Sequence, residues 1–458
     1  MEASGVTGFL EWCKQHLEPA DWITDPSITS GYCADWTGRL VGHTGLVLRP
    51  DTAAKVREII VAALEWDIRL CVQGGNTSLA GGSVPLAGEV VLSTRRLNKI
   101  RSLDPDSQIA VVEAGVTLSE LKGYAARFGL DFGVDIAPRD SATLGGMAAT
   151  NAGGLHVIRY GPMRTQVVGV QVAYGDGSAL TPVSELVKDN TGFSEESIFV
   201  GSEGTLGVVT ALALKLIRAE ISKAVTMIGV SSATEAMRLA GAARKAGSNI
   251  SAIELLDDIS INLVEAEVGA EFPLKPHPAM AVLIEVASSG SAESEVIDIL
   301  DALQPNFDVT TAVVSTGTTT ANDIWRWRES IPSAIRRVGE ALKLDLSVPI
   351  SRLDVLFDRL TTLSKAYGDS LLMVRFGHLG DGNLHVNLVG ADKVLASAEE
   401  EIYQMVAELG GAITAEHGVG TLKKAYLGLV RTPAEVDRYR RLILVFNPRR
   451  VTNPNVMV

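Results

Sequence analysis

An α+β chain built from two or three packed units is the fold class the sequence predicts, and three observations carry it. The chain has 458 residues, which at roughly 150 residues per domain is more than one small fold holds. Its 44 glycines are densest in the first half, where strand-like runs enter glycine turns and then helical spacing. In the second half, helices alternate with strands whose apolar and polar residues alternate, the pattern of an antiparallel sheet covered by helices on one face. Apolar residues make up 46% and charged residues 21%, the balance of a chain that buries a core.

The elements follow in order. After a helical start, residues 46–50 (LVLRP) read as a short strand stopped by proline. The next run, DTAAKVREIIVAALEWD, has apolar residues at helical spacing, with Asp51 as its expected N-cap. IRLCVQ is a strand that runs directly into GGNTSLAGGSVP, and EVVLSTRRLNKI is a further strand. QIAVVEAGVTLSELKGYAARFG repeats strand, turn and helix, with Thr117 and Glu120 spaced as a capping box. Small side chains dominate RDSATLGGMAATNAGGLHVIRYG. The strand VGVQVAY then meets an expected hairpin turn at Gly175-Asp176-Gly177, and GSEGTLGVVTALALKLI enters a last strand. We place the first unit at residues 1–217, the second at 218–424, and a C-terminal segment at 425–458 that packs back on the first.

Charge and composition exclude several functions. The formal charge of −13 argues against a nucleic-acid partner. No window reaches 18 uninterrupted apolar residues, so no integral membrane segment is expected. The N-terminal run has early acids and no secretory apolar core. Three cysteines without metal or redox spacing (Cys13, Cys33, Cys71) read as free thiols of a cytoplasmic protein.

The glycine turn after IRLCVQ can bring backbone N–H groups close to a phosphate, because residues without a Cβ permit close approach. It is followed by no GK[ST], and no GxGxxG opens a helix, so neither a Walker loop nor a nicotinamide-binding Rossmann site is supported. A turn with no ligand remains the alternative.

Three blocks in fixed order, VQGGNTSLAGGSVP, APRDSATLGGMAATNAGGLHVIRYGPMR and GSEGTLGVVT, resemble the pyrophosphate-binding domain of the vanillyl-alcohol-oxidase-like flavoproteins. That resemblance implies a two-subdomain FAD-binding domain and an α/β cap domain with an antiparallel sheet. It implies that Gly74, Gly75, Asn76, Thr77 and Ser78 line the FAD pyrophosphate. Gly145, Gly146, Asn151, Gly153 and Gly154 would line the remaining nucleotide path, and Gly204, Thr205, Gly207 and Val208 would lie near the adenine or flavin side. No His or Cys stands where some relatives tether flavin, so the FAD is expected to be non-covalent.

Three of the seven histidines, His378, His385 and His417, fall within one 40-residue window. LMVRFGHLGDGNLHVNL reads as a hairpin turning at Asp381-Gly382. Counting outward, His378 opposes His385, close enough for two imidazoles to share an ion. Asn387 shares the face of His385. A metal with an open position needs a third ligand, and ITAEHGVG supplies Glu416 with His417 beside it. Hydrogen-bonded structural histidines are the alternative reading.

GHLGDGNLH with AEHG resembles the cap-domain signature of the FAD-linked D-2-hydroxyacid dehydrogenases, the group of D-lactate, D-2-hydroxyglutarate and glycolate-oxidase-type enzymes. The resemblance makes His378, His385 and Glu416 ligands of a divalent metal, zinc above others, Asn387 a substrate contact and His417 the general base. WRWRESIP resembles the family element whose arginine meets a substrate carboxylate, here Arg328, and the lysine of the following strand is Lys343. A bidentate guanidinium suits that task. The resemblance departs at Pro332, where hydroxyglutarate-type enzymes carry a hydroxyl residue, which puts recognition of a second carboxylate in question.

The function implied is oxidation of a D-2-hydroxyacid, favouring D-2-hydroxyglutarate or D-lactate, to the 2-oxoacid, with hydride to flavin N5. Electrons would pass to an external acceptor of electron-transfer-flavoprotein, quinone or cytochrome type, since no iron–sulfur motif is present. Two alternatives stand: a glycolate-oxidase-type flavin subunit of a larger complex, and a zinc-dependent hydrolase. A homodimer is compatible with the sequence. An anionic substrate requires a pocket that is locally basic against the acidic whole, at Arg328 and Lys343.

Overall fold

The computed structural model describes residues 3–315 and 317–458. The chain forms two compact units: residues 1–154, 160–219 and 416–458 make the first, and residues 155–159 and 220–415 the second. The main crossings fall at 219/220 and 415/416, two residues after and nine before the expected 217/218 and 424/425, and residues 155–159 make a separate excursion. The second shift has a local cause. Ala412 pairs in backbone hydrogen bonds with Ser347, and Ala415 N–H donates to Asp345 at 3.2 Å (backbone) and 3.0 Å (carboxylate), so the chain stays with the second unit's sheet until Ala415.

The first unit contains two four-stranded sheets and a two-stranded sheet, Leu130–Asp131 with Ile217–Arg218. In one four-stranded sheet, the parallel strands Val47–Leu48, Val90–Ser93 and Leu70–Gln73 lie side by side, with Trp22–Ile23 added antiparallel at the edge. In the other, Ile100–Asp104, Ile109–Glu113, Gly207–Lys215 and Val167–Tyr174 are all antiparallel. The helix Ala53–Glu65 buries Val56, Ile59, Ile60, Ala62 and Ala63 against the first sheet. Its N-cap is Thr52, whose hydroxyl accepts Lys55 N–H at 3.3 Å, and not Asp51. Asp51 instead spends its carboxylate on Lys55 and Arg96, and that ion pairing outcompetes a cap. The Thr117–Glu120 capping box is present on Leu118–Ala125.

A turn does form at Gly177, whose N–H donates to Tyr174 O at 3.0 Å. It does not close a tight hairpin, because the chain runs on through residues 178–206 before Gly207 begins the strand that pairs with Val167–Tyr174. At the C-terminus the helix Pro433–Phe446 leads to a tail that adds itself to Leu70–Gln73. Leu70 N–H donates to Val451 O and Asn453 N–H to Leu70 O.

The second unit is one seven-stranded antiparallel sheet. Its order is Val313–Val314, Ser222–Val230, Met280–Ser288, Ile250–Asp257, Leu371–His378, Asn383–Gly390, Leu342–Ser347. Helices cover both faces, not one. Every residue of Ile250–Asp257 and of 281–288 is buried, which one covered face cannot achieve. One face packs on Asp258–Val268, Thr318–Glu329 and Ile331–Val338, through Ile261, Val264, Trp325, Trp327, Ile331 and Ile335. Ala233–Ala246 and Ala292–Leu303 pack on the strands with Leu239, Ala243, Val296 and Ile299, outside that cluster.

Among the described residues no helix is long and apolar enough to cross a membrane.

Candidate active site

The first unit brings the glycine blocks together. Leu70–Gln73 ends at Gln73, whose side-chain amide donates to Tyr32 O (3.0 Å) and Ser83 O (2.9 Å), closing the loop across its base. Inside it, Asn76 adopts a left-handed φ of 56°. Its amide donates to Ala34 O at 2.8 Å and accepts Ser83 Oγ–H at 2.8 Å. The Asn76 side chain is therefore spent on the loop, and only its backbone is left for a ligand. Ser78 Oγ accepts Ala80 N–H at 3.2 Å, and residues 74–79 are half-buried.

The second block lies directly under this loop. A Cβ on Gly75 would stand 1.9 Å from Ser141 O, and one on Gly74 would stand 2.4 Å from Thr143 Oγ1. Gly145 meets Ala114 as closely, at 2.5 Å, while Gly146 N–H reaches Thr143 Oγ1 at 3.3 Å. Asn151 again has a structural side chain, accepting Arg164 N–H at 2.9 Å. Gly153 is buried. Gly154, at φ +100°, lies against Asp135 O and donates its N–H to Glu416 Oε1 at 2.5 Å.

The third block joins through the tail. Asn453 accepts Val72 N–H at 2.7 Å and donates to Glu203 O at 2.7 Å, so it ties the strand before the first loop to the residue before Gly204. Thr205 O accepts Asn447 Nδ2–H at 2.8 Å, Gly207 packs on Ala173 O, and Val208 is a core residue. These four residues are held in place by backbone and core packing. Glu203, which the sequence reading did not single out, is 8% exposed and accepts Val419 and Gly420 N–H, both at 2.8 Å. Burial pushes its pKa up against those bonds. His417 therefore sits between Glu416, anchored on Gly154, and a turn clamped by Glu203.

A flavin pyrophosphate fits this loop, since the close-packed glycines leave no side chain between backbone and ligand. Gly75→Ala is accordingly expected to displace the loop from Ser141 and lower the flavin-to-protein absorbance ratio of purified protein severalfold. Full flavin occupancy in that variant would contradict the role.

The second unit carries a polar face on its own sheet. The hairpin Leu371–His378/Asn383–Gly390 turns over four residues, not the two of Asp381-Gly382, and pairs Phe376, not His378, with His385. Gly380 N–H is drawn to Ile253 O at 3.2 Å, which widens the turn. The register shift is two residues, and side chains alternate with period two, so His378 and His385 keep the same face. His378 pairs across to Glu254 on the other neighbouring strand.

The two imidazoles present Nε2 to Nε2 at 3.4 Å. Their Nδ1 atoms point to buried carboxylates: His378 to Glu254 Oε1 at 2.6 Å, and His385 to Asp345 Oδ1 at 3.6 Å. This is the carboxylate–histidine arrangement that orients metal ligands. Two nitrogens each about 2.0–2.1 Å from a tetrahedral ion lie roughly 3.3–3.4 Å apart, so the pair fits zinc. Burial alone would raise the Glu254 pKa, but the charges and hydrogen bonds of His378 and Arg328 hold it at about 2.

Arg328, on Thr318–Glu329, donates Nε–H to Glu254 Oε2 at 2.6 Å and lies 4.6 Å above the Phe376 ring. Its Nη atoms donate no hydrogen bond among the described residues. Trp325, one turn earlier, donates Nε1–H to Glu285 Oε2 at 2.9 Å, and Glu285 also receives Ser251 and His156. The helix is thus pinned to the sheet at two buried carboxylates.

Lys343 pairs with Asn387, and Asp345 with His385, across the last two strands. Asn387 is buried. Lys343 is half-buried and has no acidic partner among the described residues. Burial, and then Arg336, push its pKa down. Pro332 lies in the first turn of the helix Ile331–Val338. Glu254, Glu285 and Asp345 escaped the sequence reading as site residues. The available signal was one acid isolated among apolar neighbours, as in AIELL and VLIEVA, since such a residue is almost never buried unpaired.

Comparison with known proteins matches two stretches of the chain to flavoprotein families. Residues 44–181 match the FAD binding domain family, and residues 220–457 the family of FAD linked oxidases, C-terminal domain. A Bos taurus protein named as mitochondrial D-2-hydroxyglutarate dehydrogenase is 34% identical, over 97% of this chain and 82% of its own length. A Xanthomonas citri D-2-hydroxyglutarate dehydrogenase is 33% identical over 94% of this chain and 93% of its own. A Schizosaccharomyces pombe protein provisionally named a mitochondrial D-lactate dehydrogenase is 32% identical, over 96% and 86%. Among solved structures, p-cresol methylhydroxylase with substrate bound has a TM-score of 0.78 at 15% identity, covering 99% of this chain and 97% of its own. Alkyldihydroxyacetonephosphate synthase reaches 0.75 at 16%, over 98% and 84%. These last two share the fold.

Proposed function

This chain belongs to the FAD-linked oxidase family of the D-2-hydroxyacid dehydrogenases, and on that premise we propose that it oxidises a D-2-hydroxyacid to the 2-oxoacid at a site using FAD and a divalent ion. The observation that carries the reading is the sheet face of the second unit. Two histidines are oriented for one ion there, beside an arginine whose Nη atoms and a lysine whose Nζ meet no acid among the described residues. Glu416 completes the ligand set; it is the next residue after Ala415, which Asp345 holds. The hydrolase alternative leaves the FAD binding domain without a purpose.

FAD held by the glycine loops would supply the hydride acceptor for C2, and a divalent ion held by His378, His385 and Glu416 would supply a Lewis acid for the C2 hydroxyl. The chain's own residues do the rest. Arg328 Nη and Lys343 Nζ hold the substrate's carboxylate charge, and Asn387 adds a neutral hydrogen bond and fixes orientation. His417 takes the hydroxyl proton as C2 loses hydride. Electrons then leave to an external acceptor of electron-transfer-flavoprotein, quinone or cytochrome type. Pro332 offers no hydroxyl, so D-lactate stands beside D-2-hydroxyglutarate as a substrate.

All three cysteines are buried free thiols, in keeping with a reducing setting. The eukaryotic relatives' names place those proteins in mitochondria.

The direct test is anaerobic bleaching of the flavin with D-2-hydroxyglutarate, D-lactate, D-malate and glycolate, each against its L form where one exists. One D-2-hydroxyacid should reduce the flavin at a turnover-competent rate; a flavin that none of them reduces refutes the function. Lys343→Met is expected to raise KM by about 10–100-fold through loss of a charged hydrogen bond. Because the folded pKa of Lys343 is lowered, its cation is present below that pKa and lost as pH rises through it. The wild-type KM should therefore climb at alkaline pH, and the Lys343→Arg variant should show no such climb. A flat profile in both would remove Lys343 from substrate binding.

A further inference from the structure

We propose that Glu254 is a positioning residue that couples substrate recognition to metal ligation, one carboxylate fixing both His378 and Arg328. The inference rests on the function proposed above and extends it to a residue that touches neither substrate nor ion.

The two oxygens divide the work. Oε1 is 2.6 Å from His378 Nδ1 and Oε2 is 2.6 Å from Arg328 Nε. Glu254 is fully buried, with no exposed surface, so water cannot replace either partner. On the histidine side, an Nδ1–H donated to the carboxylate leaves Nε2 with its lone pair directed at His385 Nε2, the form a metal requires. On the arginine side, occupation of Nε holds the guanidinium plane over Phe376 and leaves the two Nη atoms for a carboxylate. Phe376 itself lies 5.3 Å from His385, ring centre to ring centre. A tilt of Arg328 is therefore resisted from below by the same aromatic ring that flanks the second histidine.

This placement follows from the fold. Glu254 and His378 are cross-strand partners, which sets their side chains on one face about 5 Å apart at Cβ. Arg328 reaches that face from Thr318–Glu329, whose own position is pinned independently by Trp325 on Glu285. A second anchor on the helix means that Glu254 is not needed merely to dock it. What Glu254 adds is the orientation of the two functional groups.

The chemistry of substitution separates coupling from simple support. Glutamine has the same shape but only one acceptor oxygen, the other position being an NH2 donor. It can serve His378 or Arg328, never both, and its NH2 would face the donor of whichever partner it abandons.

The experiment uses the full-length flavoprotein as wild type, Glu254→Gln and Glu254→Asp. Zn²⁺ affinity is measured by chelator competition, and kcat and KM at saturating Zn²⁺ with the best D-2-hydroxyacid. Flavin content and thermal unfolding monitor the fold. Glu254→Gln is expected to weaken Zn²⁺ binding or raise KM by roughly 10–100-fold, with flavin content unchanged. Glu254→Asp, which keeps the charge and both acceptors on a shorter arm, should recover part of that loss. If Glu254→Gln does not fold, Glu254→Asp carries the test alone and must then shift both readouts in the same direction. Lower thermal stability with Zn²⁺ affinity and KM both within about twofold of wild type assigns Glu254 to support and overturns the proposal. Wild-type protein that takes up no Zn²⁺ refutes the metal reading and the coupling with it; wild type and Glu254→Gln that bind Zn²⁺ equally, with equal KM, refute the coupling alone.

Discussion

Replacing His417 with alanine is expected to slow reduction of the flavin by substrate roughly 100- to 10 000-fold, the range that a positioned general base supplies, while FAD stays bound. The separation follows from where the side chain is anchored. The backbone on either side of His417 is held without its imidazole: Glu416 accepts Gly154 N–H, and Glu203 takes Val419 and Gly420 N–H. The loop should therefore keep its course in the variant. Anaerobic mixing with a D-2-hydroxyacid, followed at the flavin absorbance, reads the rate. A His417→Ala protein that bleaches at the wild-type rate assigns the proton to another group.

The second large effect is expected at His378. His378→Ala removes one Nε2 of a pair 3.4 Å apart, and it also leaves Glu254 buried without one of its two partners. Bound divalent metal should fall from about one per chain toward zero, since a site with one imidazole gone lacks a complete ligand set. Turnover should fall with it, and flavin content should not, because the glycine loops belong to the first unit. Elemental analysis of purified protein with parallel activity measurement checks both. Retention of metal and turnover would return the histidine pair to a structural role.

Much of the candidate site is legible in sequence because its parts are local. A strand entering GGNTS needs no long-range information to be read as a close-approach loop, and Gly74 and Gly75 do meet Ser141 and Thr143 where a Cβ would clash. The histidine pair is legible for a sturdier reason. The turn was misjudged by two residues, yet an even shift preserves the face, so the proximity of the imidazoles survives an incorrect register.

What was not legible is what tertiary contact decides. Asn76 and Asn151 sit inside motifs that suggest ligand contact, but their side chains are spent on Ala34 and Arg164, partners that no local pattern names. Glu254 lies 124 residues from His378, and only the order of the strands brings them together. Thr52 caps the helix because Asp51 is claimed by Arg96, 45 residues away. The sheet's second covered face was missed because alternation in ALKLDLSVP describes the edge strand Leu342–Ser347, whereas the interior stretches Ile250–Asp257 and 281–288 are buried throughout.

The measurement that tests the account most directly is anaerobic reduction of the flavin by a D-2-hydroxyacid in protein stripped of metal by a chelator, before and after Zn²⁺ is returned. The stripped protein should keep its yellow flavin spectrum, fail to bleach, and bleach again once Zn²⁺ is restored. Metal-free protein whose flavin is reduced at the untreated rate would contradict a substrate site organised around His378 and His385.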